Sequence, residues 1–222
     1  MPRTAITTLV GIAAIGLSCE RPQIGAAGLP LVSAPPPVVE QEVAISEPPP
    51  AEVGNPAAYT DEELTSRIAS HVQARQRDTM TATEIDAVAR AVVEGTQRYG
   101  IEPGLILAVI HVESRFDNFA VSSAGALGLM QILPSTGAEL AAREGIPWFG
   151  PRSLFDPVVN VRLGTAYLDQ LSERYRDTRT ALAAYNWGPG HIDRRLRLGT
   201  PIPTVYPGMV LEAWFRQRNQ RS

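Results

Sequence analysis

A glutamate at the end of the most apolar stretch of the chain has the clearest chemical potential. Glu113 follows Leu105–Ile110, six residues that are all hydrophobic. Water stabilises a carboxylate, so a carboxyl group in apolar surroundings is costly to ionise and its pKa rises. Such a group keeps its proton near neutral pH and can act as a general acid. From this segment alone, however, a glutamate that pairs with Arg115 or faces water is the simpler interpretation.

Two later segments place polar residues beside glycines. Gly128–Gln131 reads Gly-Leu-Met-Gln, and Ala184–Gly190 contains Tyr185 and Asn186 ahead of a Gly-Pro-Gly turn. Ser122 lies between Glu113 and the first of these segments. A tyrosine on a helix belongs more often to the core than to a site, and a glycine-rich segment is usually a turn. Each segment therefore has a structural explanation when it is taken alone.

Taken together and in this order, the three segments resemble the catalytic domain of bacterial lytic transglycosylases, which are goose-type-lysozyme-like enzymes that cleave the glycan strands of peptidoglycan. The resemblance covers about Ile85 to Arg216. It implies that Glu113 protonates the oxygen between N-acetylmuramic acid and N-acetylglucosamine. The ionised glutamate would then take the proton from the C6 hydroxyl that attacks C1, which gives a 1,6-anhydro product without consuming water.

The same resemblance assigns roles to four other residues. It implies that Ser122, Gln131 and Asn186 bind the saccharide or shape its site. It also implies that the hydroxyl group of Tyr185 lies near the carboxyl group of Glu113. These roles rest on the family motifs, because the residue types alone do not require them.

Two positions depart from the family pattern. Leu133 stands where the best-known soluble member has a methionine that lines the saccharide pocket, and residues 203–206 keep only the tyrosine of a segment that precedes the last helix. These departures concern substrate contacts more than the reaction. Trp148 and Trp187 are further candidates, since their faces could stack on sugar rings, although either could belong to the core.

Two alternative functions stay open. A protein of the same fold could hydrolyse the bond as a lysozyme does, because water could replace the C6 hydroxyl. Most glycosidases use two carboxylates, yet Asp117 follows the predicted helix of Glu113 and Asp156 is better explained as a helix cap. A catalytically weak peptidoglycan-binding module of a cell-envelope assembly is the other alternative, and the acid at position 113 argues against it.

The elements that must position these residues are predicted to be helices throughout. Thr60 and Thr81 each begin a Thr-x-x-Glu capping box, and Pro103 suits the first turn of the helix that ends near Glu113. No segment shows the alternating pattern of a half-buried strand, so we expect an all-α, lysozyme-like (goose-type) domain. The expected helices cover residues 60–77, 81–99, 103–114, 125–133, 134–143, 157–175, 178–187 and 207–217.

The first nineteen residues are typical of an export signal. Arg3 precedes the apolar run Ala5–Leu17, which is too short to span a bilayer but suits a signal-peptide core. Cys19, the only cysteine, follows this run as in a bacterial lipoprotein box, although Leu17 lies one place later than the usual leucine. We therefore expect lipidation of Cys19; an unimportant thiol in a signal peptide cleaved nearby is the alternative.

A proline-rich segment separates the signal from the predicted helices. Nine of the nineteen prolines fall between Pro22 and Pro56. Such a sequence cannot bury enough apolar surface to offset the cost of ordering, so it is typical of a disordered tether. We expect a signal peptide over residues 1–19, a tether over 20–59 and a lytic transglycosylase catalytic domain over 60–222.

The net charge and the spacing of the histidines argue against nucleic-acid-binding proteins and metalloproteins. A net charge of −3 without a clustered basic excess argues against a nucleic-acid partner. His71, His111 and His191 lack the spacing of metal ligands, and we expect neither a metal nor another cofactor. The sequence thus favours a periplasmic or cell-envelope monomer, anchored to the membrane by a lipid, with peptidoglycan glycan strands as its partner.

Overall fold

Local capping interactions define where the first two helices begin. In the computed structural model, which describes residues 59–219, the side chain of Thr60 accepts a hydrogen bond from the Glu63 amide at 3.3 Å, and the Glu63 carboxylate accepts one from the Thr60 amide at 2.8 Å. Thr81 and Glu84 form the same capping box at the second helix. Both boxes were predicted from sequence, and both are present.

The described residues form eight α-helices, one short 3₁₀ helix and no strand, which confirms the all-α prediction. The expectations for the signal peptide, for Cys19 and for nearly all of the tether lie outside the described residues. No helix between residues 59 and 219 has the length and apolar character needed to cross a bilayer. The α-helices are α1 (Asp61–Gln73), α2 (Ala82–Tyr99), α3 (Pro103–Ser114), α4 (Pro134–Glu144), α5 (Pro157–Tyr175), α6 (Thr178–Trp187), α7 (Pro189–Leu198) and α8 (Val205–Asn219), and the 3₁₀ helix is Pro151–Phe155.

Helix α3 lies at the centre of the domain and carries Glu113 in its last turn. Every side chain from Leu105 to Ile110 is buried, as the apolar sequence predicts. The helix packs mainly against α8 and also against α2. It ends because Arg115 and Phe116 adopt left-handed backbone conformations, with φ of 53° and 63°. The buried helix and its sharp end fix the position of Glu113.

The predicted helix over residues 125–133 is wrong. Leu127 instead pairs with Ile132 across a tight turn through two backbone hydrogen bonds of 3.0 and 3.1 Å. Gly128 and Gln131 adopt φ values of +76° and +50°, which an α-helix excludes. A Cβ atom on Gly128 would lie 2.3 Å from the carbonyl oxygen of Leu154, so glycine is required at this position.

Two helices have other bounds than predicted, and one helix was not predicted. Helix α8 covers Val205–Asn219 instead of residues 207–217. Helix α1 ends at Gln73 instead of continuing to residue 77, because the side chain of Gln76 accepts hydrogen bonds from the amides of Thr79 and Met80 and stabilises a turn. Helix α7 was not predicted at all. Pro189 occupies the first turn of a new helix, a position that favours proline, instead of only terminating α6.

Helix α5 packs against α2, α4 and α6 and completes the core around the predicted site. Asp156 caps it as predicted, accepting hydrogen bonds from the amides of Val158 and Val159. Trp148 belongs to this core, since a Cβ atom on Gly137 would lie only 2.9 Å from its ring. Trp187 is 52% exposed, so of the two candidate tryptophans it is the one that is accessible to a ligand.

Candidate active site

The carboxyl group of Glu113 is largely shielded from water at the end of α3. Burial raises its pKa from 4.5 to about 7, even though a hydrogen bond from Tyr206 acts in the opposite direction. The hydroxyl group of Tyr206 donates to Oε1 of Glu113 at 2.5 Å. Glu113 therefore exchanges a proton readily at neutral pH, as the apolar sequence around it predicts.

Tyr206 is the functional residue that the sequence reasoning missed. It lies in the first turn of α8, 93 positions after Glu113, and is 8% exposed. Burial and the charge of Glu113 raise the pKa of Tyr206 well above its ordinary value, so its hydroxyl stays protonated and can donate. The only sequence signal was that residues 203–206 keep the tyrosine of the family segment, and no role was assigned to it.

The resemblance implied that the hydroxyl group of Tyr185 lies near Glu113, and its direct hydrogen-bond partner is a backbone carbonyl. Its hydroxyl group donates to the backbone carbonyl of Met130 at 2.8 Å, whereas Tyr206 makes the direct hydrogen bond to Glu113. Burial, followed by the charge of Glu113, raises the pKa of Tyr185. Tyr185 and Glu113 are thus within electrostatic range of each other. The Tyr185 ring also packs beside the Tyr167 ring, with 5.2 Å between their centroids.

The turn from Leu127 to Ile132 is held by two side-chain amides. Gln131 donates from Nε2 to the carbonyl oxygens of Ala120 and Gly128, both at 3.0 Å. Asn160 on α5 is fully buried and accepts from the Met130 amide at 2.7 Å. It also donates to the carbonyls of Leu127 and Leu154, at 2.9 and 2.8 Å. Asn160 was not singled out in the sequence, where its one signal is a polar residue among valines.

Three of the residues assigned by the resemblance line one small pocket. Its volume is about 180 Å³, and Gln131, Tyr185 and Asn186 all lie on its wall, as does Trp187. The Trp187 ring stacks on His191 with 5.1 Å between the centroids. Leu133, at the position of the family methionine, also lines the pocket. Amide groups and an aromatic face around a concave surface suit a saccharide, since they combine hydrogen bonding with stacking.

The structure does not bring Ser122 to this pocket. Its hydroxyl oxygen accepts from the Ala126 amide at 3.0 Å, and its backbone pairs with Ala126 and Gly125. Among residues 59–219, all hydrogen bonds of Ser122 lie within this one turn. A larger cavity of about 870 Å³ lies between α1, α2 and α5, but none of the predicted site residues lines it.

Residues 90–199 match the family model described as the Transglycosylase SLT domain. A membrane-bound lytic murein transglycosylase C from Actinobacillus pleuropneumoniae serotype 5b is 36% identical over 135 residues, which cover 56% of this chain and 34% of that protein. A protein of the same name from Histophilus somni is 31% identical over 175 residues. These residues cover 71% of this chain and 44% of that protein.

This chain spans less than half the length of these curated relatives. Among solved structures, the 70-kDa soluble lytic transglycosylase from Escherichia coli aligns with a TM-score of 0.47 and 26% identity, over 72% of this chain and 28% of that one. The family match lies inside the stretch that the motifs indicated and contains Glu113, Gln131, Tyr185 and Asn186. Residues 90–199 of this chain therefore form a lytic transglycosylase SLT-type domain.

Proposed function

We propose that this protein is a peptidoglycan lytic transglycosylase, which cleaves the β-1,4 bond between N-acetylmuramic acid and N-acetylglucosamine and forms a 1,6-anhydromuramoyl product. The observation that carries the proposal is the shielded carboxyl group of Glu113, with a pKa of about 7 and a hydrogen bond from Tyr206. The names of the relatives, membrane-bound lytic murein transglycosylases, support the same reaction.

In the first step Glu113 acts as a general acid. At pH 7 a group with a pKa of about 7 is protonated in about half of the molecules. Tyr206 donates to Oε1, which leaves the other carboxyl oxygen to carry the proton. That proton goes to the glycosidic oxygen as the bond to C1 breaks, and the sugar develops oxocarbenium character.

In the second step the ionised Glu113 acts as the base. The Tyr206 hydrogen bond stabilises the carboxylate, because a bond to an ionised acceptor is stronger than a bond to a neutral one. The carboxylate takes the proton of the C6 hydroxyl while the oxygen forms its bond to C1. One residue can serve in both steps because its pKa lies near the working pH.

The surroundings of Glu113 support a mechanism with one acid–base residue, which intramolecular attack allows. Glycosidases with two carboxylates hold them roughly 5 to 9.5 Å apart, close enough for each charge to influence the other. Among residues 59–219, burial and Tyr206 account for the shifted pKa of Glu113, and no second carboxylate contributes. A single acid and base suffices when the substrate supplies its own nucleophile.

Substrate binding is assigned to the pocket that Gln131, Tyr185 and Asn186 line. Glu113 is not among its lining residues, but its charge acts on Tyr185 in the pocket wall. Gln131 and Asn186 would hydrogen-bond the N-acetyl or hydroxyl groups of a sugar, and the exposed Trp187 would stack on a ring. Tyr185 would maintain the wall between this pocket and the turn that contains Met130. Ser122 keeps its assignment as a binding residue through the family motif, and the exposed turn around it would have to approach the substrate.

We further propose that the protein acts as a monomer in the cell envelope. Residues 1–19 would direct export, Cys19 would carry a lipid, and residues 20–59 would link the anchor to a catalytic domain over 60–222. The relatives named membrane-bound support an envelope location. Glu113 and its partner Tyr206 come from one chain, so the proposed chemistry needs no second copy.

Mass spectrometry of digested peptidoglycan tests the reaction directly. The wild-type protein is expected to release muropeptides with 1,6-anhydro ends, and Glu113→Gln is expected to lose ~10²–10⁴-fold in rate because it lacks the proton. Binding to insoluble peptidoglycan serves as the control for folding. Products with only reducing ends would identify a hydrolase, and activity of Glu113→Gln within a factor of about two of wild type would exclude Glu113 as the acid.

A further inference from the structure

A small basic pocket lies apart from the candidate active site. It has a volume of about 120 Å³ and is lined by Arg75, His111 and Arg216, together with Ala213 and Gln217. None of the residues assigned to glycan cleavage lines it. Arg75 follows the end of α1, His111 belongs to the last turn of α3, and Arg216 lies near the end of α8. Three helices thus contribute a basic side chain to one concavity.

The positive charge around the basic pocket is poorly compensated. No acidic side chain lines it. Within residues 59–219, neither Arg75 nor Arg115 forms an ion pair, and Arg216 pairs only with the exposed Glu212 at 3.1 Å. Burial, followed by the charges of Arg75, Arg115 and Arg216, lowers the pKa of His111, which places all four groups within electrostatic range of one another.

Stabilisation of helix ends explains only part of this arrangement. A basic side chain near a helix C-terminus interacts favourably with the partial negative charge there, and each of the three residues satisfies that condition. That effect does not require the three side chains to face one pocket. The buried Oε1 of Gln217 also lacks a hydrogen-bond partner among the described residues.

We infer that the basic pocket is a binding site for a phosphate group. Donors that converge from three helices match the non-planar oxygens of a phosphate, whereas a carboxylate offers only two oxygens in one plane. The volume fits one such group and a few waters, and it is too small for a saccharide chain. The phosphate could belong to a lipid headgroup or to a soluble ion, and the experiment must separate the two.

Inorganic phosphate is the first probe. The full chain with Cys19→Ala, which cannot be lipidated, is titrated with phosphate while the imidazole resonances are followed by NMR. The signals of His111 are expected to move, and those of His191, which stacks on Trp187 elsewhere, are expected to stay. Arg75→Gln and Arg216→Gln should each weaken phosphate binding at least about tenfold, because each removes a charged donor. Arg152→Gln, at an exposed arginine of the 3₁₀ helix, is the matched control.

Vesicles then identify the source of the phosphate. If a lipid headgroup is the ligand, the same proteins should bind vesicles of phosphatidylglycerol more tightly than vesicles of phosphatidylcholine, and Arg75→Gln should remove the difference. Binding of inorganic phosphate without any vesicle preference supports the site with a soluble ligand. Equal phosphate binding by Arg75→Gln, Arg216→Gln and Arg152→Gln would overturn the inference, as would the absence of any shift at His111. If Arg75→Gln and Arg216→Gln lower the thermal stability but leave the phosphate affinity unchanged, these arginines have a structural role and do not bind phosphate.

Discussion

Two opposing effects determine the state of the Glu113 carboxyl group. Partial burial removes water from the carboxylate and favours the protonated form, while the Tyr206 hydroxyl favours the ionised form. Burial is the larger effect, and the resulting pKa of about 7 leaves both forms populated at neutral pH. An acid that must later act as a base requires this balance, which an isolated exposed glutamate would not have.

The raised pKa of Glu113 predicts a stability difference that does not depend on activity. Its pKa is about 7 in the folded protein, against 4.5 as the ordinary value, so between these pH values the folded state binds more protons than the unfolded state. The contribution of Glu113 to the free energy of unfolding should therefore fall by on the order of 3 kcal/mol as the pH rises from below 4.5 to above 7. Glu113→Gln cannot ionise and should not show this loss.

Denaturant unfolding of both proteins at pH 4 and pH 8 measures this effect. Because every other group titrates in both proteins, the difference between them isolates Glu113. Glu113→Gln is expected to gain stability relative to wild type on going from pH 4 to pH 8. An equal change in the two proteins would mean that the carboxyl group ionises at an ordinary pKa and is not shielded.

Tyr206 and Tyr185 form a matched pair for a test of the active site. Tyr206→Phe removes the donor to Glu113 and should lower the rate of peptidoglycan cleavage about tenfold or more, equivalent to roughly 1.4 kcal/mol. Since that hydrogen bond lowers the pKa of Glu113, its loss should also move the alkaline fall of kcat/KM to higher pH. A pH profile of the variant measures both effects.

Tyr185→Phe should behave differently because its hydroxyl donates to the Met130 carbonyl. It leaves a buried acceptor without a partner and should lower the free energy of unfolding by about 1–3 kcal/mol. The alkaline limb of the pH profile should stay close to that of the wild type. If Tyr185→Phe moves that limb and Tyr206→Phe does not, the tyrosine that sets the pKa of Glu113 is Tyr185 and not Tyr206.

At the scale of elements, the turn around Gly128 shows how helix α5 organises the site. Gly128→Ala would introduce a Cβ atom 2.3 Å from the Leu154 carbonyl and 2.4 Å from Nδ2 of Asn160, in a left-handed conformation. We expect a loss of stability of more than about 2 kcal/mol and weaker cleavage of peptidoglycan. Gly125→Ala is the control, since its φ of +79° is similar but its Cβ would meet nothing within 4 Å.

Thermal unfolding of Gly128→Ala and Gly125→Ala distinguishes the cost of backbone strain from the cost of a steric clash. Gly125→Ala should cost only the backbone strain of a non-glycine residue with positive φ, on the order of 1 kcal/mol. A cost for Gly128→Ala no larger than that of Gly125→Ala would show that the turn shifts freely away from α5. In that case Asn160 would not be fixing the position of Met130 and Gln131.

Sequence patterns predicted the elements whose signals are local. The capping boxes at Thr60 and Thr81, the first-turn proline at Pro103 and the cap at Asp156 depend on residues within a few positions, and the structure contains all of them. The turn from Leu127 to Ile132 could not be predicted in this way. Its backbone is fixed by Asn160, about thirty positions later, and nothing within the turn itself reveals that contact.

The residues of the candidate site also differ in whether their signals are local in sequence. Glu113 could be identified because its apolar neighbours are adjacent in sequence, and Gln131, Tyr185 and Asn186 because the family motifs contain them. The contact between Glu113 and Tyr206 joins residues 93 positions apart and arises from the packing of α8 on α3. A single sequence gives no measure of such a contact, so the tyrosine that lies closest to the chemistry was left without a role.

At the scale of the whole molecule, the chain combines a family domain with an N-terminal region outside the described residues. Residues 90–199 match the domain, and Tyr206 lies just beyond that match on α8. A fragment that stops at residue 199 would contain Glu113 without its hydrogen-bond partner. We therefore propose that the functional unit extends at least through α8, as the expected boundaries of 60–222 do.

The N-terminal region carries the proposal that the protein is anchored to a membrane. The apolar run Ala5–Leu17 followed by Cys19 is typical of an exported lipoprotein, and the chain has no other cysteine. Expressed at full length in a bacterial host that is fed labelled fatty acid, the wild type should incorporate the label and sediment with membranes. Cys19→Ala removes the only thiol and should abolish the label, whereas Ser18→Ala keeps the thiol and should retain it. An unlabelled wild-type protein that is still exported would identify the first residues as an ordinary signal peptide, and the envelope location would then have to rest on binding to peptidoglycan.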